Sequence, residues 1–228
     1  MRVRELPILF NDEMVQALLT GRKTCTRRAI ELPDKMTGRP IGKSGDSSNP
    51  LGFFYPGGIK RPPYQPGDIL YVKETWRWCP CWDCGLDAVL GCCKYEKDSL
   101  YNNSEKEYGC YKYRASCGNY GFPATDIWRP SIHMPKEVAR IWLKVTNVRV
   151  ERLQNITEAE AILEGATNNI AFIHSPDNEY DHIHTAREHF VDIWNSTIKK
   201  GGIDKYGWDA NPFVWVIEFE WCEKPGKE

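Results

Sequence analysis

The chain has 228 residues, with 30 basic side chains against 31 acidic ones and a formal net charge of −1. That length can carry a sizeable core, and the near-neutral balance excludes a polycation held to nucleic acid by global charge, so any such affinity has to come from a local patch. No apolar run approaches the length of a membrane span, and the opening Met1-Arg2-Val3-Arg4-Glu5 leads into no secretory hydrophobic region, so a cytoplasmic protein with no membrane partner is expected.

The first predicted element is a helix capped by Asn11, acidic at Asp12 and Glu13 in its first turn, with Met14, Val15, Leu18 and Leu19 on its apolar face. Gly21 supplies a left-handed exit. Directly after it the run Arg22-Lys23-Thr24-Cys25-Thr26-Arg27-Arg28 sets four cations and two hydroxyls at a fixed point of the fold. Such a cluster can bind an anion, or dispose one lysine to give up its proton through like-charge repulsion. The plainer alternative is a solvated basic turn.

Pro, Gly, Ser and Lys dominate the next stretch, which predicts an irregular excursion over about 32–65. Pro66-Gly67-Asp68 turns into a strand at Ile69-Leu70-Tyr71-Val72-Lys73. Residues 76–121 show neither helical nor strand period and are rich in cysteine, which predicts an insertion on the main fold. Trp128 to Pro135 is extended or looped, punctuated by two prolines. Apolar residues at Ile141, Leu143, Val145, Val148 and Val150 alternate across one break at Thr146-Asn147, which predicts a long strand with a bulge. Thr157-Glu158-Ala159-Glu160 is a capping box whose helix ends at Gly165, and Thr185 with Glu188 is a second box leading into Phe190, Ile193 and Trp194. Between them, Thr167 to His184 reads as a polar loop. Large apolar residues recur at every second position from Phe213 to Trp221, a closing strand. Strands and helices out of strict alternation argue for an α+β fold, a small curved sheet or barrel with helices at its ends.

The chain holds nine cysteines and nine tryptophans. Seven of the cysteines crowd the insertion, and Cys81-x-x-Cys84 has knuckle spacing. A structural zinc on Cys81, Cys84, Cys110 and Cys117 is one reading, and a set of free thiols is the other. His133 is a candidate acid, base or base-edge donor in a cleft, or a buried histidine satisfied by the backbone. Trp128 and Trp208 flank proline-containing loops and are candidates for stacking a base, whereas Trp215 and Trp221 alternate on a strand and suit a core.

Gly21-Arg22-Lys23-Thr24 after a helix, Pro66-Gly67-Asp68 before a strand, the Thr157–Gly165 helix and the closing Val216-Ile217-Glu218-Phe219, taken in that order, resemble the ASCH family. The longer form here, with Trp128 to Pro135 and Tyr206 to Pro212, is similar to ASCH proteins of phages and prophages. The likeness covers both ends and the middle of the chain and lapses over about 30–64 and 76–121. It implies one domain over 1–228 with a PUA-like β-barrel, flanking helices, and a cleft that binds RNA or a modified nucleoside. One branch of that family hydrolyses N4-acetylcytidine with a lysine, a threonine three positions on and a glutamate near a helix C-terminus. By resemblance these fall on Lys23, Thr26 and Glu164, with Glu160 the alternative for the glutamate.

Amide hydrolysis needs a nucleophile, a base and an oxyanion stabiliser. In the expected arrangement Thr26 attacks, Lys23 takes its proton, and Glu164 positions water or relays a proton to the leaving amine. Arg22, Arg27 and Arg28 hold an oxyanion or a phosphate, joined by Trp128, His133 and Trp208 around the ligand. The chemistry requires no cofactor, and no protein partner is expected. The alternatives are a non-catalytic RNA-binding module and a metal-independent ribonuclease.

Overall fold

The computed structural model describes residues 3–33, 37–43, 46–80, 95–98, 106–117, 127–171 and 182–226. In chain order the elements are β1 (Glu5–Leu9), α1 (Asp12–Leu19), β2 (Cys25–Ala29), β3 (Arg39–Lys43), β4 (Asp46–Tyr55), β5 (Gly58–Lys60), β6 (Ile69–Lys73), β7 (Trp76–Pro80), β8 (Tyr95–Asp98) and β9 (Lys106–Tyr113). There follow α2 (Arg114–Cys117), β10 (Trp142–Arg152), α3 (Glu158–Leu163), β11 (Asn169–Ala171), β12 (His182–His184), α4 (Ala186–Thr197), α5 (Ile203–Tyr206) and β13 (Phe213–Trp221). The fold is α+β. Its largest sheet has the order β1-β6-β10-β13-β2 and is open, with β1 and β2 at its edges.

The chain divides into two compact units. The first comprises Met1–Leu6, Ala17–Leu70 and Trp142–Glu228. Its spine is the antiparallel pair β10–β13, in register from Leu143 opposite Trp221 to Arg152 opposite Phe213, with the expected bulge between Val145 and Asn147. Strand β2 lies along the far side of β13, Thr26 facing Ile217 and Arg27 facing Val216. Register then sorts the faces. Val148, Trp215 and Ile217 bury the apolar face, while Asn147, Arg149, Glu151, Glu218 and Arg27 share the other. Polar side chains thus line one face of a central strand pair, and they need partners there.

Both capping boxes form. Thr157 accepts from the Glu160 N–H and Glu160 returns a bond to the Thr157 N–H; Thr185 and Glu188 do the same for α4. Gly165 then ends α3 at φ 103°. Part of the stretch expected to be irregular is ordered as β3-β4-β5, an antiparallel meander in which Phe53 is fully buried and meets Phe213 at 4.9 Å between ring centroids. Composition hides these strands, because Gly and Pro inside them weaken the alternation. Likewise β11 and β12 pair in part of the segment read as a polar loop.

The second unit comprises Pro7–Gln16 and Tyr71–Ile141. Its sheet has the order β7-β9-β8, so regular pairing lies inside the cysteine-rich insertion. Glu74 is buried there, with Arg140 donating to both carboxylate oxygens at 2.9 and 2.8 Å while its guanidinium lies 4.1 Å over the Tyr113 ring. Burial pushes the Glu74 carboxyl above its ordinary range, against the pull of Arg140.

Glycine is required at Gly165 for two reasons, the left-handed φ and a Cβ that would sit 2.8 Å from the Ala17 Cβ. Gly165→Ala is expected to cost about 1–3 kcal/mol. Gly21→Ala, at φ 72° with nothing within 4 Å, should cost less. Denaturation midpoints of the two variants check the ranking.

Candidate functional site

Thr24, Lys23 and Arg22 meet the C-terminal end of α3 in succession. The Thr24 N–H donates to the Leu163 carbonyl at 2.9 Å, Lys23 Nζ to the Glu164 carbonyl at 2.7 Å, and Arg22 Nη1 to the Gly165 carbonyl at 2.9 Å. These are the carbonyls that a helix end leaves without partners, and they carry the negative end of its dipole. The basic run therefore caps a helix that lies far along the chain. Arg22 thus joins this cap through Nη1.

Lys23 is 1 % exposed and Glu164 5 %. Nζ donates to the Cys25 carbonyl at 2.7 Å, to the Glu164 carbonyl at 2.7 Å and to Glu164 Oε2 at 2.9 Å, the full complement of an ammonium. Arg27 joins from β2, with Nη1 3.3 Å from Glu164 Oε1 and Nη2 3.2 Å from Glu151 and 3.3 Å from Glu160. Arg149 bridges Glu151, Glu160 and Glu218. Three cations thus face four carboxylates. Exposure rises outward, from fully buried Lys23 and Arg27 side chains to 23 % for Glu151, 27 % for Glu160 and 38 % for Glu218.

Electrostatics follow from that gradient. Burial works against the Arg149 guanidinium, but its three carboxylates outweigh it and hold the group above its ordinary value. Burial likewise pushes Glu160 up, and the Thr157 N–H with Arg27 and Arg149 more than reverse it, keeping the carboxyl below its usual range. The Cys25 thiol is pushed up to about 12 by burial and then by the Glu164 charge. Beside this centre it is a neutral thiol and no nucleophile at neutral pH.

The structure brings Lys23, Glu164 and the alternative carboxylate Glu160 into one network with Arg27. It does not bring Thr26 into it. Strand alternation turns Thr26 and Arg28 to the face of β2 opposite Cys25 and Arg27, and Thr26 is buried there, facing Ile217 across the strands. Burial lowers Arg28 below its ordinary value. Trp208 lies in the first unit, its indole 4.9 Å beneath the Arg187 guanidinium and edge-on to Phe190. Trp128 and His133 belong to the second unit. Trp128 is half-buried with Arg77 5.6 Å over its ring, and His133 is exposed at the end of a 3₁₀ turn, so it is not a buried histidine.

Of the zinc candidates, Cys81 and Cys84 lie outside the described residues. Cys110 sits in β9 directly opposite Cys79 in β7, and Cys117 sits in α2, both partly exposed. Among the described residues no group of three or more His, Cys, Asp or Glu is placed to hold a metal. Sequence reading missed Glu151, Arg149 and Glu218. The signal was present in Asn147, Arg149 and Glu151 alternating with apolar residues, which places three polar side chains on one sheet face.

No protein-family model, curated protein or solved structure matches the chain.

Two measurements test this geometry. Lys23→Met and Glu164→Gln each strand a buried partner and are expected to cost about 3–5 kcal/mol, with the double variant less damaged than their sum. Cys25 should resist iodoacetamide in the native protein at neutral pH and react on unfolding, as mass spectrometry of the labelled peptide would read.

Proposed function

We propose that this protein is an amidohydrolase of the ASCH type, with a PUA-like core, acting on N4-acylated cytidine or a related modified nucleoside. The observation that carries the reading is the buried pair itself, Lys23 Nζ 2.9 Å from Glu164 Oε2, formed by the two residues that the family resemblance singles out. A close cation–carboxylate pair in a water-poor setting is a competent proton-handling centre.

The charge balance favours a neutral nucleoside over an RNA backbone. Three cations already engaged by four carboxylates have little left for phosphates, and the rim that a ligand meets first is rich in carboxylate.

The geometry also redistributes the expected roles. Lys23 donates through all of its protons, so it positions Glu164 and does not itself abstract a proton. Glu164 takes the base role. Its carboxylate removes a proton from water, whose oxygen attacks the acyl carbon. The oxyanion accepts a hydrogen bond from Arg27, whose buried Nε has no acceptor among the described residues. Collapse breaks the C–N bond as Glu164 returns the proton to the departing N4, giving cytidine and the free acid. Thr26 has no part in this sequence.

The test is incubation with N4-acetylcytidine and longer N4-acyl analogues, with cytidine followed by chromatography. Turnover is expected in the wild type and in Thr26→Val. It should fall by roughly 10²–10⁴-fold in Glu164→Gln and Lys23→Met, each first checked for folding by circular dichroism. A folded wild type that releases no cytidine, or variants of Lys23 and Glu164 that turn over at the wild-type rate, would sink the proposal.

A further inference from the structure

A second feature of the first unit, outside the Lys23–Glu164 network, is a cavity of about 380 Å³ lined by Asn195, Ile203, Asp204, Gly207, Trp208, Asp209 and Ala210. The loop that builds it is heavily fastened. The Trp208 N–H donates to Asn195 Oδ1 at 3.0 Å, its carbonyl accepts from Gln154 Nε2 at 2.9 Å, and the Trp194 indole N–H donates to the Tyr206 carbonyl at 2.8 Å. Asn211 holds a left-handed φ of 46° while its side chain accepts from the Gln154 N–H at 2.9 Å. A left-handed asparagine held on both sides is a conformation that its surroundings impose. The wall of the cavity is thus pre-formed, which lowers the ordering cost of binding.

The lining chemistry is selective. No lysine or arginine lines the cavity, so a phosphate or a carboxylate has no counter-charge there. The free acceptors are the carboxylates of Asp204 and Asp209, both exposed, since Asn195 Oδ1 already accepts from the Trp208 N–H. The apolar lining comes from Ile203, Ala210 and the indole of Trp208. Its ring already carries the Arg187 guanidinium at 4.9 Å, so a second cation stacked on the same indole meets like charge. What fits is a flat, uncharged ring that presents adjacent donors to a carboxylate. Among nucleobases that edge belongs to guanine, whose N1–H and N2–H₂ lie side by side. Adenine and cytosine set an acceptor beside their amino group, which a carboxylate opposes.

We propose that this cavity binds a guanine-type base, stacked on Trp208 with its N1–H and N2–H₂ edge donated to Asp204 or Asp209. The site is separate from the Lys23–Glu164 centre and stands whether or not that centre hydrolyses an amide.

Isothermal titration of the full-length protein with guanosine, up to its solubility limit, tests it. Guanosine is expected to bind, and inosine, which lacks the N2 amine, roughly tenfold more weakly. Asp204→Asn/Asp209→Asn, a surface change that spares the packing of Trp208, should weaken guanosine at least about tenfold. The same wild-type preparation is assayed for cytidine release, so a failed hydrolysis assay and a failed base site are told apart. No heat with guanosine, equal binding of adenosine or cytidine, tighter binding of the cation agmatine, or an unaffected double aspartate variant would each overturn the proposal.

Discussion

A lysine ammonium removed from water has to be matched donor by donor, and Lys23 is matched by the Cys25 carbonyl, the Glu164 carbonyl and the Glu164 carboxylate. Three elements are held by that one requirement. The turn after α1 has to deliver the side chain, β2 has to begin at Cys25, and α3 has to stop so that Glu164 presents both its carbonyl and its carboxylate. Arg22 and Thr24 add to the same helix end. The cap and the buried charge therefore reinforce each other, and Gly165 at its left-handed φ is what lets the chain leave α3 against Ala17.

The same arrangement limits what the basic run can do. A run of four cations invites a phosphate, yet Arg22 and Lys23 are spent on a helix terminus and Arg27 on three glutamates. In this network carboxylates outnumber cations and reach the surface first. The buried Arg27 Nε, without an acceptor among the described residues, gives that network one donor to spare. A buried network that is otherwise satisfied is also rigid, which is what oxyanion stabilisation by fixed dipoles requires.

Much of the local structure was legible. Both capping boxes, the Asn11 cap whose Oδ1 accepts from Met14, the Gly21 exit and the bulge in β10 follow from chemistry between residues a few positions apart. The meander β3-β4-β5 was not, because its strands carry Pro40, Gly42, Pro50 and Gly52 and are ordered by pairing with one another. The pairing inside the insertion was equally hidden, since Cys79 meets Cys110 only through the register of β7 and β9. Thr26 shows the limit most clearly. Three positions from Lys23 in sequence, it is turned from Arg27 and its glutamates by strand alternation.

The sequence by itself determined where elements begin and end and which residue types carry charge, because caps, turns and periodicity act over one or two turns of chain. Only the tertiary structure decided that Lys23 meets a glutamate 141 positions away. It also decided that β13 separates β2 from β10, so that Arg27 and Arg149 share one face while Thr26 lies on the other. The physical reason is that burial of a charge is settled by whichever partners the folded sheet and helix ends bring within hydrogen-bond reach, and sheet order has no local signature.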